Sequence, residues 1–464
     1  MTDGVRHYVS DCLQQRHPYD ARSAFAGRPQ RDAGLVFSGR PPIAIDDWIA
    51  ALSDTVVGDV QRGRALRLLI AHTASQEEKI TLLRKDIVTR LVALLNTKPS
   101  PDVECQTFAL MRSLCVIPQG CQCVMDAGGL EAAMRSAQDT SMGEERLDAR
   151  VMAVRVIYQI SFNAAGVRWL LGVEVPHGFE LLDAVSTTSC VAPVTKEAVI
   201  ATLVFILQHD AKFDGSGMNS STTTIGSNSD VSNKTSGGSP VLQMILYAVT
   251  ALAQLTAVTE GIFAAMNGNA VTEVAALIHK YASNTIWLID REIVGIVTQL
   301  IIIIWNVSLE QSGAELVGEL GVPDDLFSLI AILYRQSISS NGPLLRALTG
   351  ALSAVYKLLS VKQKSLDPLV GELSRIQVLY EFLRSINDVV STAKVSQNEP
   401  HPDVVAISKN VVLCTRFAME LKSVRDFTRK FLEEMGKNGT NEAFYFRRQL
   451  FYSTKWEKEF DASV

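Results

Sequence analysis

The residue types that most often perform catalysis are scattered along this chain and form no recognisable motif. The seven histidines fall mostly at predicted helix ends and in loops: His7, His17, His72, His177, His209, His279 and His401. The sequence contains no H-E-x-x-H, no G-x-S-x-G and no phosphate-binding G-x-x-x-x-G-K-[ST] pattern. Glutamate pairs at 77–78, 144–145 and 433–434 are typical of solvated helix faces. We therefore expect no enzyme, no cofactor and no small-molecule substrate.

Cysteine spacing argues against a metal site. Cys115, Cys121 and Cys123 lie close together, but a C-x-C pair without a second pair or a nearby histidine is a poor zinc signature. Reduced thiols in a cytosolic protein are the better interpretation. We expect Cys105 and Cys115 to pack as small hydrophobic side chains.

Aromatic and basic residues interleave near the C terminus, whereas aromatic residues are scarce elsewhere. Such side chains supply most of the binding energy at protein interfaces. The candidate partner-binding residues are Phe37, Tyr445, Arg447, Arg448, Phe451, Tyr452 and Trp456. The C-terminal ones could instead belong to a cap that covers the last unit of a repeat array. The sequence leaves these two interpretations open.

Charge and hydropathy narrow the class of partner. The formal net charge of −5 and a pI of about 5.9 argue against nucleic acid, because phosphate binders usually carry a basic excess. No apolar signal-peptide core opens the chain. The longest apolar run, VTQLIIIIWNV, has about half of the roughly 20 residues that a membrane span needs. We expect protein partners, and neither nucleic acid nor membrane.

The elements that must position any binding surface are helices in a repeated order. Apolar residues recur at helical spacing in long segments, each followed by a Gly or Asn turn and a shorter amphipathic helix. The predicted ends of the long helices are Ile70, Leu114, Ile160, Ile206, Leu255, Val307 and Leu359. They recur about every 44 to 52 residues, close to the roughly 40–47 of armadillo and HEAT units. The fold class predicted is all-α, a right-handed superhelical solenoid of the armadillo or HEAT type.

The starts of the short amphipathic helices resemble the armadillo signature G-a-I-p-x-L-v. They are AGGLEAAM, PHGFELLDAV, GNAVTEVAAL and GVPDDLFSLI. The Gly or Asn lets the backbone turn one helix onto the next. Armadillo proteins of nuclear import bind basic peptides with ladders of Trp and Asn. Here only the adjacent Trp305 and Asn306 suggest such a ladder, so we disfavour that function and assign Trp305 to the core.

Composition divides the chain into three parts. Residues 1–42 form an Arg-rich N-terminal arm. We interpret it as a mobile tail or as a segment that a partner orders, rather than as a transit peptide, because transit peptides contain few acidic residues. Residues 43–422 form the helical array, with a flexible Ser-, Thr-, Gly- and Asn-rich insertion at 214–240. Residues 423–464 form the aromatic and basic cap or docking tail.

Three segments together resemble the radial spoke head armadillo family of cilia, also called the rhabdoid tumour deletion region family. They are LLRKDIVTRLVALL (82–95), IPQGCQCVMDAGGLEAAM (117–134) and AVTEGIFAAMNGNAVTEVAALI (257–278). The second matches a P-x-G-x-Q…G-L stretch, and the third matches part of a T-T-E-G-K-x-A-A-L stretch. The matching positions are Pro118, Gly120, Gln122, Gly129, Leu130, Thr259, Glu260, Gly261, Ala264 and Ala265.

This resemblance implies a structural, non-enzymatic subunit of the ciliary or flagellar axoneme that contacts other radial spoke proteins. The arm, the insertion and the aromatic tail have no counterpart in that pattern, so its position within the axoneme stays open. The alternative is a soluble cytosolic adaptor that binds linear peptide segments in the groove of the solenoid.

Overall fold

The structure is a computed structural model that describes the N-terminal two thirds of the array. The described residues are 45–173 without positions 55 and 142, 195–210, 239–337 without positions 284 and 285, and six isolated helical positions between 347 and 358. Within this part of the chain the secondary structure is helical, and no β-strand occurs.

The helices follow one another with short connections wherever the described chain is continuous. The first eight are α1 (Ile45–Ser53), α2 (Asp59–His72), α3 (Gln76–Arg84), α4 (Ile87–Asn96), α5 (Pro101–Leu114), α6 (Pro118–Asp126), α7 (Gly129–Gln138) and α8 (Leu147–Ser161). The next eight are α9 (Ala164–Leu170), α10 (Lys196–Asp210), α11 (Pro240–Leu255), α12 (Thr259–Asn267), α13 (Ala270–Ala282), α14 (Arg291–Val307), α15 (Gln311–Glu319) and α16 (Val322–Ser337). Two 3-10 helices, Gly143–Arg146 and Ile286–Ile289, precede α8 and α14.

Every third helix belongs to the same row. Helices α2, α5, α8, α11 and α14 pack successively on one another and form what we call the long-helix row. Helices α1, α4, α7, α10, α13 and α16 pack successively in the same way and form the second row. The short helices α3, α6, α9, α12 and α15 connect the two rows. Leu, Ile, Val and Ala side chains fill one continuous core between the rows, and full burial of each large one stabilises the fold by about 1.5–3 kcal/mol.

A close approach explains why each short helix begins where it does. The third residue of α6, α9, α12 and α15 is a glycine: Gly120, Gly166, Gly261 and Gly313. A Cβ on any of them would lie 1.9–2.2 Å from the carbonyl oxygen near the end of the preceding long helix. Only glycine allows the chain to turn this tightly, so the spacing of these four residues records the repeat.

The turn from a short helix into the second row uses left-handed backbone. The residue before the second-row helix has positive φ at Asp86 (54°), Gly128 (81°), Asn269 (61°) and Gly321 (71°). This confirms the Gly and Asn turns predicted before α7, α13 and α16. Asp86 forms the same turn before α4. We did not predict this turn from the sequence, because aspartate adopts the left-handed conformation less readily than glycine.

Several predicted elements need correction at their ends. The apolar runs YAVTALAQLTAVTEGIFAAM and GIVTQLIIIIWNVSLEQSG are each a long helix followed by a short one. The first run breaks after Leu255, where Val258 takes up an extended conformation before α12. We expected Pro101 to end a unit, but it occupies the first turn of α5, where proline costs no backbone hydrogen bond.

Helix α10 lies in the second row, although we aligned its Ile206 with the ends of the long helices. It packs against α7 and α13 on its two sides, while α8 packs directly against α11. The long helices that end at Ile160 and Leu255 are therefore consecutive, and the unit between these two ends is 95 residues long. The segment PHGFELLDAV, which we assigned to a short-helix start, lies outside the described residues.

Polar bonds between consecutive second-row helices confirm this position. Side-chain hydrogen bonds join α1 to α4 (Arg90 to Ser53, 3.1 Å) and α4 to α7 (Arg135 to Asn96, 3.1 Å). Others join α10 to α7 (Gln138 to Thr202, 3.0 Å) and to α13 (Gln208 to Glu273, 2.8 Å). The last joins α13 to α16 (His279 to Asp325, 3.0 Å). Each pair of neighbours in the row thus has one such bond, and α10 takes part in two of them.

A buried ion pair fixes α10 to the long-helix row. The Arg150 guanidinium of α8 donates to both carboxylate oxygens of Asp210, at 3.2 and 2.9 Å, and its Nε donates to the Ala137 carbonyl at 3.1 Å. The two side chains are only 6% and 5% exposed. With all these groups satisfied, the charges are held between α7, α8 and α10.

The three-helix unit defines the fold as an all-α, armadillo-like solenoid. HEAT units have two helices and armadillo units three, so the short helices decide between the alternatives that the sequence left open. The buried positions 347, 351, 354, 355 and 358 are helical, and Gly350 faces Ile301 of α14. The predicted arm 1–42 and tail 423–464 lie outside the described residues, as does the insertion 214–240 up to position 238. Pro240 begins α11.

Candidate functional site

A group of polar and aromatic side chains that are exposed or only partly buried lies on the long-helix row. Arg112, Tyr158 and Trp305 occupy equivalent places, two residues before the ends of α5, α8 and α14 that our alignment assigns. Arg155 and Tyr247 stand beside them on α8 and α11. We call the surface that these residues share the long-helix face.

Ring contacts bring five of these side chains together across three helices. The Tyr158 ring centroid lies 5.2 Å from that of Tyr247 and 5.9 Å from that of Phe162. The Arg155 Cζ lies 5.2 Å from the centroid of the Tyr247 ring, which is a cation–π contact. Arg112 lies close enough to Arg155, Tyr158 and Tyr247 to interact with them electrostatically, and the positive charge of Arg155 repels it. These five residues, Arg112, Arg155, Tyr158, Phe162 and Tyr247, form what we call the basic-aromatic cluster.

The two arginines of this cluster have no acidic partner in the described part of the chain. No Asp or Glu lies within ion-pair distance of either guanidinium there, and Arg112 Nε is buried with no hydrogen-bond acceptor. Burial lowers the pKa of Arg112, and the neighbouring Arg155 charge lowers it further. The cluster therefore holds two like charges at a partly desolvated surface.

Exposed apolar side chains line the edge of this face where the long helices end. Val116, Phe162 and Leu309 follow the ends of α5, α8 and α14, and they are 51%, 63% and 49% exposed. Trp305 is 39% exposed, so our assignment of Trp305 to the core was wrong. Its neighbour Asn306 is the buried residue of that pair, and its amide donates to the Ala253 carbonyl at 3.2 Å and to the Thr256 hydroxyl at 3.3 Å.

Sequence reasoning missed this face because it searched for a ladder of tryptophan and asparagine. Tyr158 was noted near the correct place, but Phe205 belongs to α10 and the second row. The cluster could have been found by aligning the long helices with one another. Once the long helices are aligned on the glycine six residues after each end, Arg112, Tyr158 and Trp305 share one position.

A second concave feature lies away from this face. A cavity of about 180 Å³ is bounded by α4, α5, α7 and the turn before α8. Glu104 is buried there; it accepts from Ser136 Oγ at 2.7 Å and lies 3.5 Å from Arg146, which also pairs with Asp139 at 2.7 Å. These bonds tie three helices together, so we interpret the group as structural.

The four cysteines within the described ranges are free thiols. Cys115 and Cys121 are buried, and the Cys121 thiol donates to the Cys115 carbonyl at 3.1 Å. Cys105, which we expected in the core, is only half-buried. Burial raises the pKa of Cys105 and of Cys123 to about 11, helped by nearby carboxylates. Within the described ranges, no group of three or more His, Cys, Asp or Glu side chains is placed to hold a metal ion.

The partner-binding residues predicted from the sequence lie outside the described residues: Phe37, Tyr445, Arg447, Arg448, Phe451, Tyr452 and Trp456. Their role stays a prediction. Among the described helices, none alone is long and apolar enough to cross a membrane; α12 and α13, bent by 80°, meet the criterion only as a pair, by length and composition alone.

Solved structures that resemble this chain include designed armadillo repeat proteins and an engineered protein. No protein-family model matches the chain, and no curated protein matches it significantly. A designed armadillo repeat protein is 18% identical, with a TM-score of 0.45, and covers 68% of this chain and 99% of its own. Another, in complex with the peptide (KR)4, is 16% identical, with a TM-score of 0.44, and covers 67% and 99%. An engineered protein at 14% identity and a TM-score of 0.35 covers 89% and 98%.

The class of protein follows from the helices themselves. Successive three-helix units with one continuous core make an armadillo-like repeat protein, a scaffold type of fold that presents long surfaces to protein or peptide partners.

Proposed function

We propose that this chain is a non-enzymatic scaffold whose long-helix face binds an extended segment of a partner protein. The observation that carries the proposal is the basic-aromatic cluster, which spans α5, α8 and α11 and whose tyrosines pack on the core while staying partly exposed. Tyrosine, tryptophan and arginine dominate the energetics of protein interfaces, and here they are held on packed helices. A rigid surface binds with a smaller loss of conformational entropy than a mobile one.

A panned peptide library tests this proposal. The full chain is immobilised, random twelve-residue peptides are selected, and the affinities of the enriched peptides are measured by fluorescence anisotropy. We expect Tyr158→Ala to weaken binding by about 10-fold or more, because a single interface aromatic often contributes 1–2 kcal/mol or more. The matched control is Phe263→Ala, since Phe263 is 45% exposed on the short helix α12, away from the cluster.

Unchanged binding by Tyr158→Ala, or equal losses in the two variants, would contradict a site on the long-helix face. Thermal melting of both variants checks that each remains folded. Tyr158→Phe is the conservative variant, and it should retain most of the affinity because it keeps the ring contacts with Tyr247 and Phe162.

We further propose that the scaffold works in the ciliary or flagellar axoneme, as a subunit of the radial spoke. The support for this setting is the resemblance of the three segments at 82–95, 117–134 and 257–278. All three cover the same part of the unit, a short helix and the second-row helix that follows it. Gly120, Gly129 and Gly261 among them also meet packing needs of the turn, since a Cβ at each would lie within 3 Å of a neighbouring atom.

Detergent extraction of flagellated cells decides between this setting and a soluble cytosolic adaptor. A radial spoke subunit should remain with the demembranated axoneme and be released by salt together with other spoke proteins. Recovery of the chain in the detergent-soluble fraction would favour the adaptor. The same extraction with a chain lacking 441–464 tests whether Tyr445, Arg447, Arg448, Phe451, Tyr452 and Trp456 contribute to docking.

A further inference from the structure

We propose that the basic-aromatic cluster selects an acidic segment, in which a carboxylate side chain meets Arg112 and Arg155 and a neighbouring apolar side chain packs on the tyrosines. This inference rests on the proposed function, and it adds the chemistry of the partner. The occupant is an extended stretch of protein that carries aspartate or glutamate.

The first argument is the unpaired charge of the two arginines. Other arginines of the array that approach a carboxylate are paired with it: Arg150 with Asp210 at 2.9 Å, Arg146 with Asp139 at 2.7 Å, and Arg62 with Asp59 at 3.5 Å. Arg112 and Arg155 have no such partner in the described ranges, although they lie near one another. An incoming carboxylate would relieve their mutual repulsion.

Arg150 and Arg155 make the contrast within a single helix. Arg150 points toward α10 and is 6% exposed, with every donor group directed at Asp210 or at the Ala137 carbonyl. Arg155 lies five residues further along α8, on the long-helix face, where it contacts the Tyr247 ring and forms no ion pair with a described residue. The nitrogen atoms of Arg150 therefore all donate to groups within the fold, whereas the guanidinium of Arg155 can donate hydrogen bonds to a ligand.

The aromatic rings orient the arginine and provide the apolar half of the site. The Arg155 Cζ lies 5.2 Å from the centroid of the Tyr247 ring, so a cation–π contact holds the guanidinium beside that ring. A planar guanidinium held in this way suits a carboxylate, because it can donate two parallel hydrogen bonds. Tyr158 and Phe162, with Phe162 63% exposed, extend the surface next to it.

The dimensions fit an extended segment. The cluster crosses three packed helices, whose axes are spaced by about 8–10 Å, so it is roughly 20 Å long. An extended chain rises by about 3.3 Å per residue, and about six residues therefore cover it. Two arginines are too few for nucleic acid, which typically requires about 6–10 phosphate contacts for strong binding.

Binding of three labelled peptides to the full chain tests the proposal. The first peptide has eight residues and alternates Glu with Gly around a central Tyr and Leu; the second has Gln in place of every Glu, and the third has Lys. Fluorescence anisotropy at low salt should show the Glu peptide bound at least about 10-fold more tightly than the Gln peptide, with the Lys peptide weakest. The preference should diminish as salt is raised, because screening weakens exposed charge pairs.

Substitutions of the arginines assign the effect to the cluster. Arg112→Gln and Arg155→Gln should each weaken binding of the Glu peptide by about 10-fold, since each removes a charge-assisted hydrogen bond. Arg155→Lys keeps the charge and should retain part of the affinity. The matched control is Arg90→Gln, because Arg90 is half-buried on the second-row helix α4 and donates to the Ser53 hydroxyl.

Charge reversal gives the sharpest outcome. Arg155→Glu should lose the Glu peptide and bind the Lys peptide more tightly than the unmodified chain does, and this gain cannot come from misfolding. Equal binding of the Glu and Gln peptides, or a requirement for phosphoserine in place of glutamate, would overturn the acidic-segment proposal. If a panned peptide still depends on Tyr158 in that case, the proposed function stands; if no peptide of any charge binds, both fail.

Discussion

Two neighbouring units of the array differ in how their second-row helix is connected to the helices before and after it. In the unit α6, α7 and α8 the chain is continuous from Pro118 to Ser161, apart from one undescribed position, and the turn at Gly128 delivers α7 directly to the second row. In the unit α9, α10 and α11 the helices occupy equivalent places, but residues 174–194 and 211–238 intervene on either side of α10. Helix α10 makes side-chain hydrogen bonds to α7, α8 and α13.

The bonds that hold the two second-row helices differ in kind. Helix α7 is joined to α4 by Arg135 and Asn96, which are solvent-exposed, whereas α10 is joined to α8 by the buried pair of Arg150 and Asp210. Buried apolar side chains of α10 also join the common core. The buried pair adds two bonds of fixed geometry, and we expect it to specify the register of α10.

Removal of the buried carboxylate should have the largest effect. Asp210→Ala leaves the Arg150 charge uncompensated in the core, and we expect a loss of about 3–5 kcal/mol in the free energy of unfolding. Urea denaturation measures the loss, and hydrogen exchange should show it concentrated in α10. The matched control is Asp46→Ala, because Asp46 pairs with Lys85 at 2.6 Å at an exposed site and should cost at most about 1 kcal/mol.

The register interpretation of that pair has its own test. If the pair specifies the position of α10, the apolar double variant Arg150→Met with Asp210→Leu should regain most of the stability and lose protection specifically in α10. Equal losses in the Asp210 and Asp46 variants would contradict the contrast between the units.

The glycines at the start of the short helices should show where the two units are alike. Gly120→Ala and Gly166→Ala each place a Cβ 2.0 Å from a carbonyl oxygen of the preceding long helix, and both should cost about 1–3 kcal/mol. Similar melting temperatures for Gly120→Ala and Gly166→Ala would indicate that the two units pack alike at the short helix and differ only in the second-row helix. Gly58→Ala is the control, since no atom lies within 4 Å of a Cβ there and its stability should be unchanged within about 0.5 kcal/mol.

Acid should produce the smallest effect, in a junction between two continuous units. Asp59 Oδ2 accepts from the Ser100 backbone N–H at 3.0 Å, and this bond, followed by the Ser100 side chain, holds the pKa of Asp59 below its ordinary 3.8. A carboxyl with a lowered pKa stabilises the fold fully above 3.8 and loses that contribution as the pH falls below it. Because Asp59 is exposed, we expect less than about 1 kcal/mol.

Comparison of Asp59→Asn with the unmodified chain, by melting temperature between pH 6 and pH 2.5, isolates that contribution. The two chains should differ most above the ordinary pKa and converge below it. A difference that grows toward low pH would mean that the hydrogen bond does not stabilise the ionised carboxylate.

Much of the unit could be predicted because its signals are local. The apolar spacing in AVTEVAALIHKY predicts the helix found as α13, and Asn269 before it predicts the left-handed turn. The aromatic cluster was missed because its members come from α5, α8 and α11, whose side chains meet only after the units are stacked. Trp305 was placed in the core because an apolar helix alone does not reveal which side faces solvent.

The sequence by itself determined the helices, the turns between them and the class of fold, since helix periodicity and the conformational range of glycine act within a few residues. The tertiary structure decided which row each helix joins, which arginine is buried against Asp210 and which is left on the surface with Tyr247. Those outcomes depend on contacts between residues tens of positions apart. A helix can present any of its sides to a neighbour, and only the packing of the whole array selects one.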